Sequence, residues 1–284
     1  MLRNALLLLA LLPLTACVQM PKYVALDAKA TERVSEIEVI SSVAQDEVIV
    51  VAENPGVSAA AGGGLLMALI DSEISKGRQE EIQKTIEPFY GAVDDLDFRR
   101  VFWDTLIPGI KSARFGKLGV IQTTPRVIGY RDRNDRITKL PPGKGFMYFT
   151  TVYSFSRDFG QLSVVTAVDL WVGGQQEPAY SNVFRYESSR TGANPIQQWS
   201  RESGKLYRAA VGESAKETAR MLDLDLKYPR IEGIDKGLSP GVKSVSIPRS
   251  TGTPPTAVTG TVLDDQAARV VVRHSDGRLY SLPR

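Results

Sequence analysis

Residues 146–188 read FMYFTTVYSFSRDFGQLSVVTAVDLWVGGQQEPAYSNVFRYES. Three runs rich in aromatic and β-branched residues stand out, at 146–156, 161–172 and 179–188. Such residues fit a pleated, largely buried surface. The breaks between them, RDFG at 157–160 and GGQQ at 173–176, are short and turn-forming. A parallel pair needs a crossover of a dozen residues or more, so these runs are antiparallel neighbours. A three-stranded meander therefore forms the centre of the domain.

Downstream, Asn194-Pro195 opens a long helix. Its stripe runs Ile196, Trp199, Ser203, Leu206, Tyr207, Ala210, Val211, Ser214, Thr218, Met221 and Leu222, at a spacing of three or four. That stripe is expected to lie across the meander. Tyr228-Pro229 closes it. Upstream, residues 33–41 alternate and read as a strand, with Ile37 and Val39 turned to the core. Residues 47–52 read as a second strand, which Asn54-Pro55-Gly56 ends. A helix is predicted from near Ser58 to Tyr90, with a break at Gly77, and another over 98–107, closed by Pro108-Gly109. Residues 118–124 and 126–130 read as one strand interrupted by Pro125, or as two, and residues 131–145 as a polar loop.

Residues 230–257 are rich in Gly, Ser, Pro and Thr and read as a linker. Residues 258–284 alternate again, with Ser275-Asp276-Gly277 as a hairpin turn. The expected fold is α+β: an antiparallel sheet of five or six strands covered by helices, plus a small C-terminal β module. The main domain spans 31–229.

The chain has 284 residues, 43% hydrophobic and 24% charged, which is ordinary for a globular protein with one sizeable core. Its formal charge of +3 is scattered rather than clustered. In the densest stretch, 131–136, Asp132 and Asp135 dilute the arginines. Nucleic-acid binding needs a basic face, so no nucleic-acid partner is expected.

The inventory for catalysis is thin. There is one histidine, His274, beside the predicted hairpin turn, and no serine has it as a plausible base. A zinc site needs further ligands converging on it. Asp94, Asp95 and Asp97 precede a predicted helix, where carboxylates meet free amides and the positive dipole end. Asp169 lies in an apolar strand and reads as a water-facing position. Gly62-Gly63-Gly64 is no phosphate loop, since no Gly-Lys-Ser/Thr follows. Lys144 in Pro-Pro-Gly-Lys-Gly fails the same test. No cofactor or metal is called for. Residues 56–70, GVSAAAGGGLLMALI, carry no charge and are short for a membrane span. They read as a close-packing helix or as an interaction face through Gly62, Gly63, Gly64, Leu65 and Leu69.

The N-terminus reads MLRNALLLLALLPLTAC, with one basic residue, an apolar core too short to span a bilayer, and the only cysteine, Cys17. Leu14-Thr15-Ala16-Cys17 resembles the lipobox of bacterial lipoproteins. The resemblance implies cleavage of residues 1–16, acylation of Cys17, and a tether over 17–30. Val18 in place of Asp implies the outer membrane, facing the periplasm, if the host is diderm. The order of elements resembles that of periplasmic domains of envelope-assembly lipoproteins, including curli-secretion-channel lipoproteins. The expected function is therefore non-enzymatic. The membrane is met through acyl chains, and a protein partner or a second copy through surface contacts, in envelope assembly, secretion or transport. The alternatives are a ligand- or glycan-binding lipoprotein using an aromatic sheet face, and a hydrolase built on Asp94, Asp97 or Asp169.

Overall fold

The structure, a computed structural model, describes residues 22–43, 45, 48–50, 76–112, 117–156, 158–231, 234–235, 244–248 and 257–284. The fold is α+β. Strands β4 (Lys144–Phe155), β5 (Leu162–Val172) and β6 (Tyr180–Glu187) form the expected antiparallel meander. The sheet around it is larger than expected and mixed. Among the described residues it contains ten strands, including β1 (Glu36–Ser42), β2 (Ile49–Val50), β3 (Leu118–Thr124) and the C-terminal β9 (Ser244–Pro248), β10 (Ala257–Asp265), β11 (Arg269–His274) and β12 (Leu279–Pro283). The path runs β3-β1-β4-β5-β6-β12-β11-β10-β9, and β2 pairs with β4 beside it.

The expectation of an all-antiparallel sheet is corrected at both flanks. β1 runs parallel to β4 and to β3, and β12 runs parallel to β6. Parallel neighbours need long crossovers. Between β1 and β4 the chain includes helices α2 (Lys76–Ala92) and α3 (Phe98–Ser112). Between β6 and β12 it includes α5 (Pro195–Lys227).

Alternation along the meander sorts side chains to two faces. Met147, Phe149, Val168, Leu170, Phe184 and Tyr186 join the large core under α2, α3 and α5. Phe146, Tyr148 and Trp171 point the other way. There they pack with Ile40 and with Ile137 of a short helix, α4 (Tyr130–Thr138). Covering on both faces explains why the runs read as nearly continuous apolar segments.

Helix α4 stands where a polar loop was expected. Only one residue of its nine, Ile137, is buried, so no helical stripe is visible in the sequence. An isolated nine-residue helix is marginal in water. Burying Ile137 contributes roughly 1.5–3 kcal/mol, and Arg133 and Arg136 lie over the Trp171 and Phe146 rings. The segment before it, expected as strand, instead donates Ile128 N–H to the Tyr148 hydroxyl at 2.8 Å.

Helix α3 also departs from expectation, continuing through Pro108 to Ser112. Proline removes one backbone bond, but the extra turn buries Ile110 in the core. At Gly109 a Cβ would overlap the Cβ of Ala219 on α5, so the bare Cα lets the two helices touch. Helix α5 breaks at Arg201–Gly204, where Glu202, Ser203 and Gly204 take φ values of 50°, 54° and 71°. The break shifts the predicted stripe: Ser203 falls within it and Leu206 is 44% exposed. Among the described residues, no helix is long and apolar enough to cross a membrane.

The C-terminal strands are β7 (Arg230–Ile231), β8 (Ile234–Asp235), β9 (Ser244–Pro248), β10 (Ala257–Asp265), β11 (Arg269–His274) and β12 (Leu279–Pro283). Three of them, β7, β8 and β9, lie within the segment read as linker, and β9 is the sheet's edge beside β10. The terminal strands are not a separate module. β12 lies against β6, Leu279 opposite Phe184 and Ser281 opposite Tyr186, so the main sheet runs on into them.

A Gly-to-Ala change inside a helix ordinarily stabilises by about 0.5–1 kcal/mol. At the α3–α5 crossing the sign is expected to reverse. Gly109→Ala lowers stability by about 1–3 kcal/mol, and Ala219→Gly in the same chain recovers part of that loss, read from urea midpoints.

Candidate functional site

Cys17 and the candidate interaction face, Gly62, Gly63, Gly64, Leu65 and Leu69, lie outside the described residues. The remaining candidates are placed by the structure, and it disperses them.

Asp97 caps α3: its Oδ1 accepts the Arg99 and Arg100 amides at 2.9 and 3.4 Å. Asp95 pairs with Arg208 of α5, and that hydrogen bond holds its carboxyl below the ordinary value. Arg208 also donates to the Ser203 carbonyl at 2.7 Å, so Asp95 helps clamp the break in α5. Asp169 does not simply face water, as the alternation had implied. It is partly buried on the α4 side of the sheet, and the Ser181 hydroxyl donates to it at 2.6 Å. Burial raises its carboxyl, against the opposing pull of Ser181 and Arg133. Asp97 and Asp169 thus sit on opposite faces of one sheet and serve different neighbours.

His274 lies at the hairpin turn, with Nδ1 3.0 Å from Asp276 and its ring edge-on to Tyr280. Lys144 pairs with Glu36 at 2.6 Å. Among the described residues, no three His, Cys, Asp or Glu side chains gather to hold a metal. Nor do the meander aromatics form an exposed strip. The nine on the strands, Phe146, Tyr148, Phe149, Tyr153, Phe155, Trp171, Tyr180, Phe184 and Tyr186, are all buried, and the most exposed, Trp171, reaches only 6%.

What the structure brings together instead is a buried polar layer between α5 and the terminal strands. Asp225 of α5 and Arg273 of β11 meet at 2.7 Å, with side chains 0% and 1% exposed. The same carboxylate accepts the Tyr180 hydroxyl and the Asn182 amide, each at 2.7 Å. Arg273 donates further to the Tyr228 carbonyl at 2.6 Å. Burial pushes the Asp225 carboxyl up, while Arg273, Asn182 and Tyr180 pull the other way. Burial, then the neighbouring carboxylate, pushes the Tyr180 phenol well up.

A second knot lies four residues back along β11. Arg269 donates to the Glu187 and Ser281 carbonyls at 2.6 and 2.9 Å, and its guanidinium lies 4.4 Å from the centre of the Tyr186 ring. The Ser281 hydroxyl donates to Glu217 at 2.6 Å, and Arg220 bridges Glu217 to Asp264 of β10. Sequence reading passed over this layer, because its members sit in segments assigned to different domains. The available signal was Arg269 and Arg273, four apart on a strand of valines and hence on one face.

The N-terminal tether is also docked. Val24 exchanges both backbone bonds with Ser181, at 2.8 and 3.0 Å, filling the edge of β6 below β12. Asp27 N–H reaches the Ala179 carbonyl at 2.9 Å, and its side chain caps the short helix α1 (Ala28–Thr31). The Tyr23 hydroxyl accepts the Arg230 amide at 2.9 Å. The Tyr23 ring covers Gly277, which has φ 94° and no room for a Cβ. The segment read as tether, 17–30, is therefore part of the fold from residue 22 onward.

No protein-family model matches the chain, and no curated protein matches it in sequence.

Removing one partner of a buried ion pair strands the other. Asp225→Ala is expected to cost about 3–5 kcal/mol. Asp225→Leu combined with Arg273→Met is expected to recover only part, since the Tyr180 hydroxyl and the Asn182 amide each lose the carboxylate they donate to; urea unfolding of the three chains checks this. For Asp169, a folded pKa raised above the unfolded one means that the folded chain binds the proton more tightly. Ionisation therefore costs stability at neutral pH, a cost that vanishes below the unfolded value near 3.8. Asp169→Asn is expected to unfold at higher urea than wild type at pH 7, with the gap closing as pH falls to 3.5.

Proposed function

We propose that the chain is a lipid-anchored lipoprotein of the outer membrane in a diderm host. It faces the periplasm, is non-enzymatic, and acts through protein contacts in envelope assembly, secretion or transport. The observation that carries the reading is Leu14-Thr15-Ala16-Cys17, with the chain's sole cysteine at the end of a short apolar leader. One acyl chain gives only marginal membrane binding, whereas the three implied by a lipobox hold permanently. The partner is a protein or a second copy, and the uncharged 56–70 segment is the face offered to it.

Among the described residues the runner-up readings do not find their groups placed together. A glycan platform needs exposed aromatics, and those of the meander are buried. A carboxylate hydrolase needs two acids in one cleft, and Asp97 and Asp169 lie on opposite sheet faces.

The test is in-cell photocrosslinking from positions 57–70, in wild type and in Cys17→Ala, with the mature N-terminal peptide weighed. Wild type is expected to begin at acylated Cys17 and to give one dominant protein adduct or a ladder of self-adducts. Cys17→Ala is expected to stay uncut and to lose the adducts. A mature peptide without acyl chains rules out the anchor. Acylated protein without adducts rules out that face.

A further inference from the structure

The N-terminal segment is pinned to the domain at two places. One is the entry to β1, where the Ser35 N–H reaches the Gly143 carbonyl at 2.8 Å. The other comes earlier in the chain. Val24 pairs with Ser181, the Asp27 N–H donates to the Ala179 carbonyl, and the Tyr23 hydroxyl accepts the Arg230 amide. Leu26 packs on the large core, and Ala30 is buried in it. The receiving surface is shaped for this contact. Gly277, at φ 94°, would place a Cβ 2.6 Å from that of Tyr23.

The earlier pin acts on chain length. Six residue steps separate Cys17 from Tyr23, and eighteen separate Cys17 from Ser35. Each step extends by at most about 3.6 Å. With the earlier pin closed, the reach from Cys17 to the domain ends at about 22 Å; with the β1 pin alone it ends at about 65 Å. The bonds at 23–27 are few, and Tyr23 to Leu26 are only half-buried. Such a segment opens locally before a covered sheet does.

Resting on the lipid-anchor reading, we infer that residues 23–27 are a latch that sets how far the domain stands from the membrane. Closed, the latch keeps the domain beside the bilayer surface. Open, it lets the same folded domain range about three times as far, since β1 stays in place. The latch sets distance and leaves the domain free to turn.

The test uses the full acylated chain in vesicles of phosphatidylethanolamine and phosphatidylglycerol that carry an acceptor dye on a lipid headgroup. Acylation consumes the only native thiol, so Gln176→Cys or Ala193→Cys, both exposed, carries a single donor dye. Reading both labels makes the result independent of which way the domain faces. A twelve-residue Gly/Ser insert between Pro21 and Lys22 lies outside the latch. The same insert between Glu32 and Arg33, both exposed, lies between the two pins; exposed loop positions accept such inserts. The outer insert is expected to roughly halve energy transfer at both labels, as the limit of reach rises from about 22 to about 65 Å. The inner insert is expected to leave transfer unchanged. Tyr23→Ala with Val24→Pro removes the ring and one amide from the latch. That chain is expected to lose transfer with no insert at all, with faster hydrogen exchange at the Ser181 amide while β5 stays protected. Equal effects of the two inserts, or no effect of either, overturns the inference. So does a latch released by the exchange measure with transfer unchanged. An unacylated Cys17, seen in the peptide mass before any transfer is read, overturns the anchor itself, and the latch's reach with it.

Discussion

The pairing of Asp225 with Arg273 is the contact on which the C-terminal third of this fold depends. It joins the last turns of a helix to a strand 48 residues later, inside the protein and out of reach of water. A charge taken from water costs several kcal/mol unless its partners replace the lost hydration. Here the carboxylate has Arg273, Tyr180 and Asn182, and the guanidinium has Asp225 and the Tyr228 carbonyl. The energy gained over an apolar pair is small by that reasoning. What the pair supplies is register. Only when β11 lies with Arg273 over Asp225 are these groups satisfied, and β12 then falls beside β6 with Ser281 under Glu217. The second knot, at Arg269, repeats the requirement four residues away along β11 and makes slippage costly at two points.

The same junction receives the N-terminus. Tyr23 and Val24 fill the edge of β6 that β12 leaves open, and Gly277 is left bare beneath the Tyr23 ring. An open strand edge is a template for unwanted pairing, so the tether covers the edge as well as fixing its own path. Residues 23–27, the end of α5 and the final hairpin therefore converge beside the start of β6.

The dispersal of Asp95, Asp97 and Asp169 follows from ordinary packing. A carboxylate before a helix finds free amides, and one beside an arginine forms a clamp. One in a covered strand is left with a serine and a raised pKa. The aromatic residues obey a similar logic. Tyr and Phe run through the meander because both faces are covered, by three helices on one side and by α4 on the other.

The meander, the long C-terminal helix, the Asp97 cap and the glycine turn at 275–277 were legible because each rests on local chemistry: alternation, helical spacing, a side chain reaching its own backbone. The mixed sheet was not, since parallel pairing of β1 with β4 and of β12 with β6 depends on segments far apart in sequence. Helix α4 was hidden because one buried isoleucine leaves no period to read. Helix α3 was cut short in the reading because Pro108 is a stop signal until Ala219 stands against Gly109. The buried layer of Asp225, Arg273, Arg269 and Glu217 had no local signature, because burial depends on where neighbouring segments fall. Local alternation and spacing thus determined most of the elements, while the tertiary structure decided their pairing, through contacts between residues that no short window contains.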